Sequence, residues 1–231
     1  MKAILFLLFL ITCWNLNAQS NRQALEVTHG DTLNKVVNND IRYAFEEFTN
    51  GMVMFKNGTT AAAKLNYDYL MEEMQFIDEK TGDIMALASP SDVSIVAING
   101  RKFIYKSGSA FIEQLSDGNT YLGVYRKAKA TSAGKTGAYG TVSNTSSIES
   151  LSSTGDARYS FAVKEHIQVK TDDIYYLYDN GKASIIKNVK SYTKAYPSSK
   201  ASSIEKYAAD NDINFKKAAD LIKLTEYCNQ L

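Results

Sequence analysis

Between Tyr43 and Lys129 the chain alternates short apolar runs with turn-forming residues. Met52-Val53-Met54-Phe55 leads into Asn57-Gly58, a dipeptide favoured in two-residue hairpin turns. Leu65-Asn66-Tyr67 lies beyond it, and Met74-Gln75-Phe76-Ile77 precedes the turn-like Lys80-Thr81-Gly82-Asp83, with Ile84 to Ala88 following. Val93 to Ile98 is rich in β-branched residues, meets a second hairpin signal at Asn99-Gly100, and returns through Phe103-Ile104-Tyr105. Phe111-Ile112 and Tyr121 to Tyr125 flank Asp117-Gly118-Asn119. Short strands with turn chemistry between them predict an antiparallel meander. Such a sheet must bury one face, by curling into a barrel or packing on a second layer. From Leu65 to Met74 the pattern also admits a helical turn through Tyr69 to Glu73.

Residues 129–157 change character: Ser, Thr, Gly and Ala dominate, and the large apolar residues shrink to Tyr139, Val142, Ile148 and Leu151. That composition builds no core of its own and reads as a mobile loop or linker, with a binding loop as the functional alternative. Strands resume at Tyr159 to Val169, and Asp173 to Tyr178 and Ala183 to Lys187 flank a third hairpin at Asp179-Asn180-Gly181. Beyond Val189 the period turns helical. Ser202 and Glu205 have capping-box spacing before a stripe of Ile204, Tyr207 and Ala208, and Asn214 is placed to cap a last helix carrying Leu221, Leu224, Cys228 and Leu231. The pattern predicts an α+β, mainly β fold: an antiparallel meander (curled sheet, barrel or sandwich) closed by C-terminal helices. Its parts are a partly ordered segment over 19–42, a β region over 43–128, the loop over 129–157, and a hairpin with helices over 159–231. The last joins 43–128 in one unit.

The first residues read differently. Lys2 and the apolar run Ala3 to Thr12 have the charge and length of a secretory signal peptide, too short to anchor permanently in a bilayer. Asn15 and Asn17 end the apolar run, and Ala18 offers the small residue that signal peptidase needs. The expected cut lies between Ala18 and Gln19, making 1–18 the signal peptide. Leu10-Ile11-Thr12-Cys13 supplies a competing reading, a lipobox with Cys13 lipidated, in which Thr12 is a poor fit. No later stretch is apolar enough to cross a membrane as a helix.

Composition then removes several classes of function. Without residues 1–18 the chain holds 25 Lys and Arg against 25 Asp and Glu, so it lacks the basic excess of a nucleic-acid binder. Cys228 is the one cysteine left, which excludes an intramolecular disulfide and reads as a small buried hydrophobe rather than an intermolecular link. His29 and His166 are the two histidines, without paired metal-ligand spacing. No cofactor signature is present: Gly134-Lys135-Thr136 echoes a phosphate-binding loop, but Lys129 stands where its first glycine belongs.

Candidate chemistry is sparse. There is no Gly-x-Ser-x-Gly elbow, and His166 sits on a predicted strand with its neighbour Glu165 on the opposite face. Glu72-Glu73 and Asp172-Asp173 suggest glycoside hydrolysis only if two carboxyls converge around a sugar; solvated charges are the plainer reading. Tyrosine is the enriched residue, with 15 copies. Tyr175 and Leu177 share one strand face, Tyr176 and Tyr178 the other, so one of these pairs is a candidate partner contact for protein or sugar. Asp31-Thr32-Leu33 resembles a short O-glycosylation acceptor at Thr32. Asn57-Gly58-Thr59 and Asn144-Thr145-Ser146 fit the N-glycosylation pattern.

Phe48-Thr49-Asn50-Gly51-Met52-Val53, Ala63-Lys64-Leu65-Asn66-Tyr67-Asp68, Asn99-Gly100-Arg101-Lys102-Phe103-Ile104 and Ala138-Tyr139-Gly140-Thr141 belong together with the Asn17-Ala18-Gln19 region and the closing helix. In combination they resemble uncharacterised secreted proteins of Bacteroidetes. The resemblance implies a periplasmic or cell-surface setting in a Gram-negative bacterium and carries no activity or catalytic residue with it. Two functions stay open: an exported non-enzymatic module binding a protein, envelope component or glycan, and a hydrolase of envelope polysaccharide or peptide that uses carboxylates left unpaired.

Overall fold

The computed structural model describes residues 22–28, 30–132, 135–136, 142–143, 165–179 and 181–231. The expected signal peptide, Cys13, the Ala18-Gln19 bond, His29 and most of 129–157 lie outside them. The described strands are β1 (Arg22–Val27), β2 (Thr49–Phe55), β3 (Thr60–Asp68), β4 (Glu73–Ile77), β5 (Ile84–Ala86), β6 (Val93–Ile98), β7 (Arg101–Ser107), β8 (Ala110–Gln114), β9 (Thr120–Ser132), β10 (Lys135–Thr136), β11 (Val142–Ser143), β12 (Glu165–Asp179) and β13 (Lys182–Ile186). Helices are α1 (Leu33–Val36), α2 (Asn39–Arg42), α3 (Val189–Thr193), α4 (Ser198–Asp210) and α5 (Ala218–Gln230). None of them is long and apolar enough to cross a membrane.

Turn chemistry sets the meander. At Asn99-Gly100 both residues have positive φ (46° and 78°) and Ile98 pairs with Arg101, the two-residue hairpin expected of that dipeptide. The Asn57-Gly58 turn is longer than expected. Only Gly58 is left-handed, at φ 86°, while the Asn57 carboxamide accepts the Thr59 N–H, so the loop spans residues 56–59 between β2 and β3. The segment from Tyr69 to Glu72 is a turn between β3 and β4 rather than a helix, started by the Asp68 carboxylate, which accepts from the Leu70 and Met71 N–H groups.

Eleven strands join in one antiparallel sheet, ordered β1-β12-β9-β8-β7-β6-β2-β3-β4-β5, with β13 also on β12. The sheet curls without closing by strand pairing. The Tyr69–Glu72 turn spans the opening: the Tyr69 carbonyl accepts the Ala128 N–H of β9, and the Tyr67 hydroxyl accepts the Phe111 N–H of β8. Inside the curl lie Val53, Leu65, Tyr67, Met74, Val96, Ile98, Phe103 and Phe111, with Leu33, Val37 and Ile41 of the α1–α2 segment against Ala128, Ala130, Ile167 and Val169. A second core lies where Leu122, Val124, Tyr175, Leu177 and Ile186 meet Tyr192, Ile204, Leu221, Leu224 and Cys228 of the C-terminal helices.

Two expected boundaries move. The loop does not begin at residue 129, because β9 runs to Ser132, with Ala128 and Ala130 buried and paired to β12. Alanine is small enough to leave room for α1 and α2 in the same core, so weak hydrophobicity there marks a crowded interior. Likewise Lys170 to Asp172 do not interrupt a pair of strands: β12 is continuous over fifteen residues, and Asp172 and Asp173 lie opposite Lys127 and Arg126.

The helical end also departs in detail. Ser202 is inside α4, whose N-cap position is Pro197, so the Ser202–Glu205 capping box does not form. Asn188 and Ser191 make one at α3 instead. Asn214 bonds the Lys216 N–H in the turn before α5 and does not occupy its N-cap, which is Lys217. Leu221, Leu224 and Cys228 form the expected buried stripe, but Leu231 is exposed.

Candidate functional site

Side-chain alternation along β9 and β12 places Leu122, Val124, Arg126, Ala128 and Ala130 on one face with Ile167, Val169, Asp173, Tyr175 and Leu177. Charge therefore separates the two cores. Arg126 forks onto Asp173 at 2.7 and 2.9 Å, Arg101 of β7 forks onto Glu113 of β8 at 2.6 and 2.7 Å, and Arg126 also lies 3.8 Å from Glu113. The Tyr69 hydroxyl accepts from both guanidinium groups, at 3.1 and 3.2 Å. Burial works most strongly against the charge on Arg101 and Arg126, but the hydrogen bonds and charges of Glu113, Asp173 and Tyr69 together outweigh it and raise both pKa values. Paired guanidinium forks leave these carboxylates few free lone pairs, which suits a structural belt.

The adjacent carboxylates are not simply solvated, as the sequence suggested. Glu72 accepts from the Tyr125 hydroxyl and lies 3.9 Å from Lys127; Glu73 is buried and accepts from Gln75. Asp172 is held by Lys129 at 2.6 Å and Lys170 at 3.6 Å, and the Lys129 bond pulls its pKa down. Neither doublet presents two carboxyls to a common point. His166 is exposed and 4.0 Å from Glu26 on β1, away from the belt. Among the described residues no cluster of His, Cys, Asp and Glu could hold a metal ion.

The tyrosine-rich strand divides as its alternation requires. Tyr175 and Leu177 are buried under the helices, so Tyr175 is a core residue; burial, then Asp173 nearby, pushes its hydroxyl up to about 12. Tyr176 and Tyr178 point to the other face, away from the described helices, and stay half-exposed over buried Ile112 and Tyr125. Tyr178 stacks on Tyr121 of β9, with centroids 5.0 Å apart and planes within 3°. Gly123 makes this possible: a Cβ there would come 2.7 Å from Ile112 and 3.3 Å from the Tyr178 ring. Burial, with Tyr121 and Tyr176 close by, pushes the Tyr178 hydroxyl up to about 12, so it remains a hydrogen-bond donor at neutral pH. Ile185, opposite Tyr176 on β13, is 46% exposed and extends the patch. Lys127, Lys129, Lys170 and Asp172 follow on the same face as a charged rim.

Sequence alternation thus assigned Tyr176 and Tyr178 to one face but gave no sign of Tyr121, Gly123 and Ile185, which only cross-strand register brings beside them. Thr32 is buried, and its hydroxyl donates to the Asn34 carboxamide at 2.6 Å, so glycosylation there requires the segment to open. Cys228 is buried in the helical core, where the loss of solvation pushes its thiol up to about 11. Comparison of the chain with protein-family models, curated proteins and solved structures finds no match in any of the three.

Proposed function

We propose that this is an exported, non-enzymatic binding module of a Gram-negative envelope, and that it docks a partner protein on the outer face of β9, β12 and β13. The observation that carries the reading is the half-exposed Tyr121–Tyr178 stack with Tyr176 and Ile185 on the face opposite the helices. An aromatic and aliphatic centre within a charged rim is the anatomy of protein interfaces, where tyrosine supplies contact area at low entropic cost. A sugar site would call for more hydrogen-bonding groups among the rings. The N-terminal signal and the resemblance to secreted Bacteroidetes proteins support the export setting, and the engaged state of the carboxylates favours binding over hydrolysis.

Purified protein lacking residues 1–18 should be retained by bacterial envelope fractions that contain protein, and released when those fractions are pretreated with protease. Ile185→Asp, which alters the patch at an exposed position, should weaken retention at least tenfold without changing the thermal midpoint. Tyr176→Ser should act in the same direction. Retention by protein-free cell-wall glycan, or release of soluble fragments from it, would overturn the protein-docking reading.

A further inference from the structure

The tyrosine patch does not end at β9. Cross-strand register carries its face across seven strands. Met52 of β2 stands opposite Ala97, Ala97 opposite Lys102, and Lys102 opposite Gln114. Gln114 then stands opposite Gly123, Gly123 opposite Tyr176, and Tyr176 opposite Ile185. A second row beside the first joins Met54, Ile95, Ile104 and Ile112, and Ile112 belongs to the cluster on which Tyr176 and Tyr178 pack. At about 4.8 Å between strands the face extends roughly 29 Å, the breadth of a protein interface. Of the six large apolar residues exposed among the described ones, Met52, Met54 and Ile185 lie at its two ends, so the face is exposed at both. The polar side chains within it are both held by Asp117, which accepts from the Lys102 ammonium at 3.0 Å and the Gln114 amide at 3.2 Å.

Charge selects the partner. Lys64 lies opposite Asn50 on the face of Met52, and the Lys106 ammonium lies 4.6 Å from the Tyr125 ring centroid. Lys102, Lys127, Lys129 and Lys170 complete the surround. Against these six lysines stand three acids, Glu72, Asp117 and Asp172, each already beside a lysine. Among the described residues neither Lys64 nor Lys106 has a carboxylate within 4.0 Å. The whole chain carries a formal charge of only +1, so positive charge is gathered on this face. A second copy of the chain would set the same lysine excess against itself. Carboxylates around an apolar strip would complement it. We infer that the docking surface runs on from the tyrosines to the methionines of β2, and that its partner is an acidic protein. The inference rests on the protein-docking reading above and names the chemistry of the partner.

The test uses the chain lacking residues 1–18 and the same protein-containing envelope fractions. Amidating the carboxylates of those fractions with a carbodiimide and ethanolamine before mixing should abolish retention. Lys64→Glu combined with Lys106→Glu should weaken it at least tenfold with the thermal midpoint unchanged, whereas Lys64→Arg with Lys106→Arg should preserve it. Met52→Ser with Met54→Ser should weaken it at least threefold. Raising salt from about 0.05 to about 0.5 M should weaken the parent chain at least tenfold and the Lys→Glu variant less, because salt screens charge. Unchanged retention after amidation or lysine reversal would overturn the acidic partner, and unchanged retention in the methionine variant would overturn the extension to β2. In either case a continuing effect of Ile185→Asp leaves the docking reading standing; if Ile185→Asp has no effect, that reading fails first. Binding to phosphatidylglycerol vesicles that lysine reversal abolishes would assign the lysines to lipid and overturn the inference.

Discussion

The two cores share β9 and β12 but are finished in different ways. Within the curl, strands supply most of the buried side chains, the α1–α2 segment and the Tyr69–Glu72 turn supply the rest, and that turn bridges the opening through the Tyr69 carbonyl and the Ala128 N–H. At the other end the same strands offer Leu122, Val124, Tyr175 and Leu177 to three helices, and the core is a sheet covered by a second layer. The belt of Arg101, Glu113, Arg126 and Asp173 lies between them on one continuous face. A curled sheet buries its concave side by bending, whereas the other core is closed by helices; the charges fall where the first solution gives way to the second.

If the shared strands couple the two cores, damage to either should unfold both. Leu221→Ala in the helical core and Leu65→Ala in the curl, both fully buried, should each cost about 2–5 kcal/mol, through lost transfer energy and the cavity left behind. Each should lower one common denaturant midpoint, read by exchange at β6 and at β12. Two separated transitions would show that the belt insulates the cores.

Arg126→Met leaves Asp173 and Glu113 without a guanidinium between them. Losing one partner of a buried pair costs roughly 3–5 kcal/mol, and partial exposure here lowers the expectation to about 2–4. Adding Asp173→Leu should recover part of that loss in a double-mutant cycle, if the belt is a structural seam.

Comparison of a Cys228 variant with the parent chain at alkaline pH probes the helical core. The Cys228 thiol, raised from 9 to about 11 by burial, stays protonated in the fold while the unfolded chain releases its proton. Its contribution is complete below pH 9 and disappears as pH rises through 11, roughly 2–3 kcal/mol at about 1.4 per pKa unit. Cys228→Ala should therefore show a shallower fall in stability over that window than the parent chain. Tyrosine ionisation affects both chains alike.

The smallest effect concerns the outer face. Gly123→Ala forces a methyl against Ile112 and beneath Tyr178 and should cost about 1–2 kcal/mol by overpacking. It should also displace the Tyr178 ring, visible as a changed near-ultraviolet tyrosine signal with the helical core unchanged.

Much of this architecture was legible in the residue pattern. Asn99-Gly100 fixes a hairpin because both residues tolerate positive φ, and the period-2 alternation of Tyr175 to Tyr178 assigns each ring to a face. The Leu221, Leu224 and Cys228 stripe identifies the buried side of α5. These are local properties, determined by steric limits on the backbone and by side-chain periodicity.

Tertiary structure decided the rest because it depends on which strands become neighbours. Nothing in Lys170-Thr171-Asp172 says strand until β9 lies alongside, with Lys127 opposite Asp172. Ala128 and Ala130 become core residues only because α1 and α2 occupy the space beside them. The tyrosine patch required the pairing of β9 with β12 to bring Gly123 under Tyr178. A sequence determines periodicity by itself; register, and the neighbours that register brings, come only from the folded chain.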